Sequence, residues 1–178
     1  MDCIILAGGF GTRLGSLTKK IPKPMLPINN LPFLEILIKK IVNTKLIENV
    51  LISTHYKSSI IENYFKSKNY PIRIIKEKSP LGTGGAIKKS LRYCLSQKIL
   101  VLNGDTFVNI DLKKFIKKNE KLKKNTMLLI KKNNASRYGS ILIDKNKISF
   151  LKKNSIKKKI NINAGVYILK KNIFNTFK

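Results

Sequence analysis

A short apolar segment that runs directly into a glycine-rich turn most constrains the fold of this chain of 178 residues. Cys3–Ala7 predicts a buried β-strand. Three glycines fall within residues 8–11, where their turn offers backbone N–H groups, and Arg13 follows closely. Lys23 comes next, held between two prolines that restrict the backbone around it. Together these residues predict a loop that grips a polyphosphate at the end of a strand.

Apolar strands alternate with helical patterns over the first two thirds of the chain. The predicted strands are 3–7, 50–53, 72–75 and 99–102, and the predicted helices are 33–46, 58–66, 84–95 and a segment capped by Asp111 that runs through Asn119. This order predicts an α/β fold, a Rossmann-like three-layer α/β/α arrangement with a mostly parallel central sheet.

The pattern changes after about residue 125. Strand patterns at 126–130, 139–143, 148–151 and 162–169 predict an added mixed or antiparallel region. We therefore expect a single domain over residues 1–178, with an N-terminal region of residues 1–124 and a C-terminal region of residues 125–178. The lysine-rich stretch 152–159 predicts an exposed loop or hairpin tip.

The formal net charge of +28 raises the question of a nucleic-acid partner. The excess of positive charge is nearly all lysine. Lysine, asparagine and isoleucine are all abundant here, and the codons of an AT-rich genome favour these three residues, so codon usage accounts for the charge better than a nucleic-acid role does. A dedicated nucleic-acid surface usually combines arginine forks with interleaved aromatic residues, whereas this chain has only four arginines and its lysines are spread over most segments. We expect no specific nucleic-acid partner, although the charge should attract anionic substrates.

Cys3 and Cys94 form neither a disulfide framework nor a metal-ligand spacing, and we expect two buried free thiols. No apolar run approaches a membrane span, and the start lacks the features of a signal peptide. We therefore expect a cytoplasmic protein with no membrane partner. The sequence leaves open whether it forms a homo-oligomer.

Candidate site residues follow three of the predicted strands, at 8–13, 81–86 and 103–105. Ligands of open parallel sheets bind beyond the carboxyl ends of the strands, so these segments are expected to meet. The first loop matches neither a Walker A motif nor a dinucleotide fingerprint. Asp105 can hold Mg²⁺ against phosphate oxygens, and its alternative role is that of a turn or cap residue.

The motifs resemble those of a known family. Residues 6–14, Leu-Ala-Gly-Gly-Phe-Gly-Thr-Arg-Leu, with 22–27, Pro-Lys-Pro-Met-Leu-Pro, resemble the signature of the sugar-nucleotide pyrophosphorylases, nucleotidyltransferases that make nucleoside diphosphate sugars. Residues 81–86, 102–107 and 163–167 match later motifs in the same order. The resemblance covers essentially the whole chain and implies the nucleotide-diphospho-sugar transferase fold. Its most similar branch transfers a guanylyl group to D-glycero-D-manno-heptose 1-phosphate.

The resemblance also implies roles for individual residues. Arg13, Lys23 and Asp105 would be catalytic, on the outer phosphates, the α-phosphate and Mg²⁺ respectively. The nucleotide would contact Leu6, Ala7, Gly8, Gly9, Gly11, Thr12, Glu77, Gly82 and Thr83, with Glu77 and Gly82 at the base. The sugar phosphate would contact Gly139, Lys153, Asn163 and Gly165. His55 has no implied role, and we assign it to a strand end or loop.

The implied reaction joins a nucleoside triphosphate and a sugar 1-phosphate, with release of pyrophosphate. A phosphate oxygen attacks the α-phosphorus in line, so positioning and charge neutralisation carry the rate. The N-terminal region would bind the nucleotide and the C-terminal region the sugar. Thymidylyl, uridylyl or cytidylyl transfer to another sugar or alcohol phosphate remains open, as does a noncatalytic nucleotide-sugar-binding module.

The chain departs from the family pattern at two places. The family usually has a Glu-Lys pair where this chain has Lys152 and Lys153, and Lys152 cannot accept hydrogen bonds from sugar hydroxyls. The family also supplies a second metal-binding aspartate from a C-terminal segment, whereas no acidic residue follows Asp144. We expect that this segment is missing from the chain.

Overall fold

An eight-stranded sheet organises the protein, seen in a computed structural model that describes residues 1–133, 140–144, 147–151 and 159–176. The strands are β1 (Asp2–Leu6), β2 (Pro27–Ile28), β3 (Leu31–Pro32), β4 (Asn49–Thr54), β5 (Ile72–Lys76), β6 (Lys98–Asn103), β7 (Thr126–Asn133), β8 (Ser140–Asp144), β9 (Lys147–Leu151) and β10 (Lys159–Lys170). The sheet has the order β5-β4-β1-β6-β10-β8-β9, β7 pairs with β10, and β2 and β3 form a separate hairpin.

The sheet joins a parallel half to an antiparallel half. β5, β4, β1 and β6 are parallel, as the alternating sequence pattern predicts. β10 joins the two halves: its residues Val166–Lys170 pair antiparallel with β6, its residues 159–163 and 167–168 pair with β7, and Asn161 pairs with β8. The predicted mostly parallel sheet with an added antiparallel region is therefore confirmed.

Five α-helices accompany the sheet in the described residues: α1 (Leu17–Lys20), α2 (Phe33–Val42), α3 (Ser58–Lys66), α4 (Gly82–Leu91) and α5 (Leu112–Glu120). Alternate residues of β1 face opposite sides of the sheet. Cys3 and Ile5 pack in the cluster that contains α2, α3 and α5, while Ile4 packs in the cluster that contains α4. This arrangement confirms the three-layer α/β/α prediction.

Two predicted helices end earlier than their apolar spacing indicates. The helix that begins at Phe33 stops at Val42, and Lys45 has a positive φ of 55° that a helix cannot continue. The helix predicted over 84–95 runs from Gly82 to Leu91 instead. The residues after Leu91 leave the helix, and the carboxylate of Asp2 accepts hydrogen bonds from the backbone N–H groups of Leu95 and Ser96.

Both cysteines are buried free thiols, as predicted. Burial raises the pKa of Cys3, and it raises the pKa of Cys94 to about 12, so neither thiol is a reactive thiolate at neutral pH. None of the helices in the described portion of the chain has the length and apolar character needed to cross a bilayer.

Candidate active site

A cleft of about 630 Å³ opens at the carboxyl ends of the parallel strands. The loop after β1, Glu77 after β5, the start of α4 and Asp105 after β6 meet there. This cleft is lined by every residue that the sequence predicts to be catalytic or to contact the nucleotide: Leu6, Ala7, Gly8, Gly9, Gly11, Thr12, Arg13, Lys23, Glu77, Gly82, Thr83 and Asp105. The three strand-end segments therefore form one site.

The glycine-rich loop is fixed at Gly11 and open around Gly9. Gly11 has a φ of +68°, and a Cβ atom there would lie 2.8 Å from Cγ2 of Thr18. Thr18 also donates a hydrogen bond from Oγ1 to the carbonyl of Gly11 at 3.1 Å. Among the described residues, the amides of Gly8, Gly9 and Gly11 donate to no protein acceptor. The loop thus presents N–H groups suited to phosphate oxygens.

Arg13 and Lys23 bring positive charge to the same cleft. Arg13 lies in a short 3₁₀ helix, Thr12–Leu14, that follows directly on the loop. Lys23 begins a second 3₁₀ helix, Lys23–Met25, whose Pro24 and Met25 are buried. This burial anchors the segment, so the lysine side chain starts from a fixed backbone position.

Asp105 is placed by a close approach of two backbones. Gly104 donates from its N–H to the carbonyl of Leu6 at 2.8 Å, and a Cβ atom on Gly104 would lie 2.7 Å from that carbonyl oxygen. Only glycine permits this contact, which brings the Asp105 carboxylate to the end of β1. Oδ1 of Asp105 accepts a hydrogen bond from Thr106, and Oδ2 lies 2.7 Å from Nζ of Lys23.

Two carboxylates, Asp105 and Glu77, line this cleft, and Asp105 is the one that lies beside Lys23. No cluster of three or more His, Cys, Asp or Glu side chains that could hold a metal occurs in residues 1–133, 140–144, 147–151 and 159–176. Mg²⁺ binds through one or two carboxylates together with substrate phosphates and water, so Asp105 fits such a site.

Glu77 forms the opposite side of the cleft. Its Oε1 accepts a hydrogen bond from Ser53 at 2.8 Å, and the same oxygen lies 3.3 Å from where a Cβ atom on Gly8 would stand. His55 supports this region structurally, because Nδ1 lies 3.1 Å from the Glu77 carbonyl and its ring meets Phe10 edge-on.

Several lining residues were not predicted from the sequence. They are Phe10, Leu14, Pro24, Pro80, Ala86 and Asn103. All but Pro80 lie inside the quoted motifs, and Pro80 directly precedes one, so position in the motif is the signal that could have found them. Phe10 is 46% exposed and its ring also contacts those of His55 and Tyr56, so a partly exposed aromatic side chain lies at the cleft.

Asn163 and Gly165, two of the expected sugar contacts, lie in β10 and not among the lining residues of the described cleft. Oδ1 of Asn163 accepts a hydrogen bond from the N–H of Gly165 at 2.8 Å. Gly165 has a φ of +71°, and a Cβ atom there would lie 2.5 Å from Nδ2 of Asn103. Gly165 therefore packs on a residue of the cleft wall. Gly139, Lys152 and Lys153 lie outside the described residues.

Comparison with known proteins agrees with this geometry. Residues 2–178 match the model of a family described as nucleotidyl transferase. The chain is 46% identical to D-glycero-alpha-D-manno-heptose 1-phosphate guanylyltransferase of Campylobacter jejuni, over 99% of this chain and 79% of the relative. It is 39% identical to the enzyme of the same name from Aneurinibacillus thermoaerophilus, over 98% of this chain and 76% of the relative.

A solved structure shares the fold. HddC from Yersinia pseudotuberculosis, crystallised in complex with GMP-PN, superimposes with a TM-score of 0.83 at 36% identity. The match covers 99% of this chain and 79% of HddC.

Proposed function

The chain belongs to the nucleotidyl transferase family, and from this premise we propose that it transfers a guanylyl group from GTP to D-glycero-D-manno-heptose 1-phosphate. The products are the nucleoside diphosphate sugar, a precursor for surface polysaccharide, and pyrophosphate. One observation carries the proposal: the loop amides, Arg13, Lys23 and Asp105 all line the same cleft as Glu77. The names of the two heptose 1-phosphate relatives and the GMP-PN complex of HddC support the choice of substrates.

The triphosphate and the base of the nucleotide are assigned to different groups in this cleft. We assign the phosphates to the loop amides and Arg13, and the α-phosphate to Lys23. We assign the base to Glu77, because a carboxylate accepts hydrogen bonds from the N1–H and amino group of guanine. We propose that residues 1–124 carry these contacts and that residues 125–178 carry the sugar contacts Gly139, Lys153, Asn163 and Gly165.

The chain's own residues act by holding charge in place. A phosphate oxygen of the sugar 1-phosphate is already ionised, so its attack on the α-phosphorus needs no general base. The new bond forms between that oxygen and phosphorus while the bond to the leaving pyrophosphate breaks. Lys23 and Arg13 offset the negative charge that shifts toward pyrophosphate in this step.

The family generally uses a divalent metal ion. We propose that this ion is Mg²⁺ and that Asp105 holds it with substrate phosphates and water. When bound, the ion would neutralise phosphate charge and help to orient the triphosphate for in-line attack. We also propose that the protein is cytoplasmic, as expected from the sequence.

A substrate panel tests the proposed function. The protein is incubated with Mg²⁺, each nucleoside triphosphate and a set of sugar 1-phosphates, and pyrophosphate release is measured. We expect the fastest release with GTP and the heptose 1-phosphate. Faster release with another pair would overturn the substrate assignment. Nucleotide binding without release in any combination would point instead to a noncatalytic module.

A further inference from the structure

Ser53 connects the glycine-rich loop to the carboxylate of Glu77. It lies in β4 and is fully buried. Its carbonyl accepts a hydrogen bond from the N–H of Ala7 at 2.8 Å, and its hydroxyl donates to Oε1 of Glu77 at 2.8 Å. One buried residue therefore contacts both Ala7, which leads into the loop assigned to the phosphates, and the carboxylate assigned to the base.

Glu77 is held at four points. Its N–H donates to the carbonyl of Thr54 at 2.7 Å, and its carbonyl lies 3.1 Å from Nδ1 of His55. Oε1 accepts from Ser53, and Oε2 accepts from the N–H of Leu81 at 3.1 Å. A carboxylate oxygen can accept more than one hydrogen bond, so both oxygens keep capacity for a ligand. The side chain is fixed before any ligand arrives.

This geometry suits a ligand with two adjacent N–H donors. A glutamate that rotates freely loses its rotamer freedom on binding, and that loss weakens the complex. A glutamate already held by Ser53 and Leu81 avoids most of the loss, and its two oxygens keep a fixed spacing. Of the bases in the common nucleoside triphosphates, guanine presents N1–H beside an amino group.

We infer that Ser53 is a positioning residue that sets guanine selectivity by holding the Glu77 carboxylate toward the cleft. The inference rests on the proposed function, because it takes the Glu77 side of the cleft as the base site. Ser53 itself is buried and acts through Glu77. Loss of its hydroxyl should therefore weaken discrimination between bases more than it weakens contacts to the triphosphate.

Direct binding of GTP and ITP, measured by calorimetry with Mg²⁺ at fixed salt, tests this inference. ITP keeps N1–H and lacks the amino group, so it differs from GTP by one donor to Glu77. We expect the wild-type protein to bind GTP about tenfold more tightly than ITP, because a hydrogen bond to a charged group is lost. In Ser53→Ala the ratio should fall to about threefold or less.

Ser90→Ala is the matched control. Ser90 is also a fully buried serine, and its hydroxyl has no hydrogen-bond partner among the described residues. The Ser90→Ala variant should keep the wild-type ratio, while a general effect of removing a buried hydroxyl would change both variants alike.

The outcomes separate the inference from the proposed function. An unchanged ratio in Ser53→Ala, or equal losses in the two serine variants, would overturn the role of Ser53 and leave guanylyl transfer standing. Equal binding of GTP and ITP by the wild-type protein would likewise overturn it. Binding of neither nucleotide by the wild-type protein would overturn the proposed function and the inference together.

Discussion

The ammonium group of Lys23 lies 2.7 Å from a carboxylate oxygen of Asp105. The cation that we assign to the α-phosphate and the carboxylate that we assign to the metal thus neutralise each other without a ligand. Both side chains are partly exposed, at 35% and 43%, so the pair is screened by water and easily separated. A metal–nucleotide complex can replace both partners at once, since it brings a cation for Asp105 and a phosphate for Lys23.

This pairing predicts that the metal alone binds weakly and that Lys23→Gln strengthens its binding. Without the Lys23 ammonium beside it, Asp105 should bind Mn²⁺ about two- to fivefold more tightly; the gain is small because surface ion pairs have small energies. Mn²⁺ titration followed by electron paramagnetic resonance measures the affinity of the wild-type protein and the variant. Asp105→Asn should remove the binding.

Lys66→Gln is the control for that titration. It removes the same charge from the exposed last turn of α3, away from the cleft. If Lys66→Gln tightens Mn²⁺ binding as much as Lys23→Gln does, the effect comes from net charge and the ion pair does not compete with the metal.

Arg13→Ala should reduce turnover by about 100-fold or more. Arg13 lines the cleft, and removal of one donor aimed at developing charge typically costs this much. Arg13→Lys should recover some of the rate, because it restores the charge without the guanidinium fork. Steady-state pyrophosphate release measures both variants.

Arg92→Ala provides the comparison for Arg13. Arg92 is an exposed arginine that follows α4 and is absent from the described cleft lining. Its removal should leave the rate within about twofold of wild type, as for most surface changes. A normal rate in Arg13→Ala would contradict the assignment of Arg13 to the phosphates.

The parallel half of the sheet could be predicted from the sequence because its segments carry strong local patterns. Ser58–Lys66 has the bounds that its apolar spacing predicts, and Asp111 caps α5 by accepting a hydrogen bond from the N–H of Lys114. The short elements between Thr12 and Pro32 could not be predicted in this way. Helices of three or four residues and two-residue strands are shorter than the period that would reveal them.

Much of the cleft lining could be predicted from the sequence, but the contacts between its residues could not. Strand ends and motif residues identified the cleft lining, since ligands of parallel sheets bind beyond those ends. The contact between Lys23 and Asp105 joins residues 82 positions apart, and no local pattern carries that information. The same holds for Ser53. The sequence shows it only as a strand residue, and its contact with Glu77 depends on the pairing of β4 with β5.

Gly11→Ala should destabilise the protein by about 1–2 kcal/mol, because a side chain at a φ of +68° is strained. The added Cβ would also stand 2.8 Å from Cγ2 of Thr18 and 3.1 Å from Cβ of Lys23. Urea unfolding measures the free-energy change. Gly9→Ala is the control, since nothing lies within 4 Å of its added Cβ, and equal losses in the two variants would contradict the strain at Gly11.

Glu35 of α2 makes the stability depend on pH at the acid end. It is buried, and its carboxylate accepts hydrogen bonds from the hydroxyls of Tyr64 and Tyr70. Nζ of Lys39 lies 3.3 Å from its Oε1, and Nζ of Lys68 lies 3.9 Å from its Oε2. The hydrogen bond from Tyr64 is the largest influence and lowers the pKa of Glu35, against the opposing effect of burial. A lowered folded-state pKa contributes stability above the ordinary value of 4.5, and this contribution is lost as the pH falls through the folded-state pKa.

Tyr64→Phe tests this coupling at both ends of the pH range. At pH 7 the variant should lose about 1.5–3 kcal/mol of unfolding free energy, the usual contribution of a hydrogen bond to a charged group.

The same hydrogen bond raises the pKa of Tyr64 to about 12. A raised pKa contributes stability below the ordinary value of 10, and that contribution fades as the pH rises from 10 through 12. Urea unfolding from pH 3 to pH 12 should therefore show the largest difference between wild type and variant at neutral pH and smaller differences at both extremes. A difference that stays constant across this range would contradict the linkage between Tyr64 and Glu35.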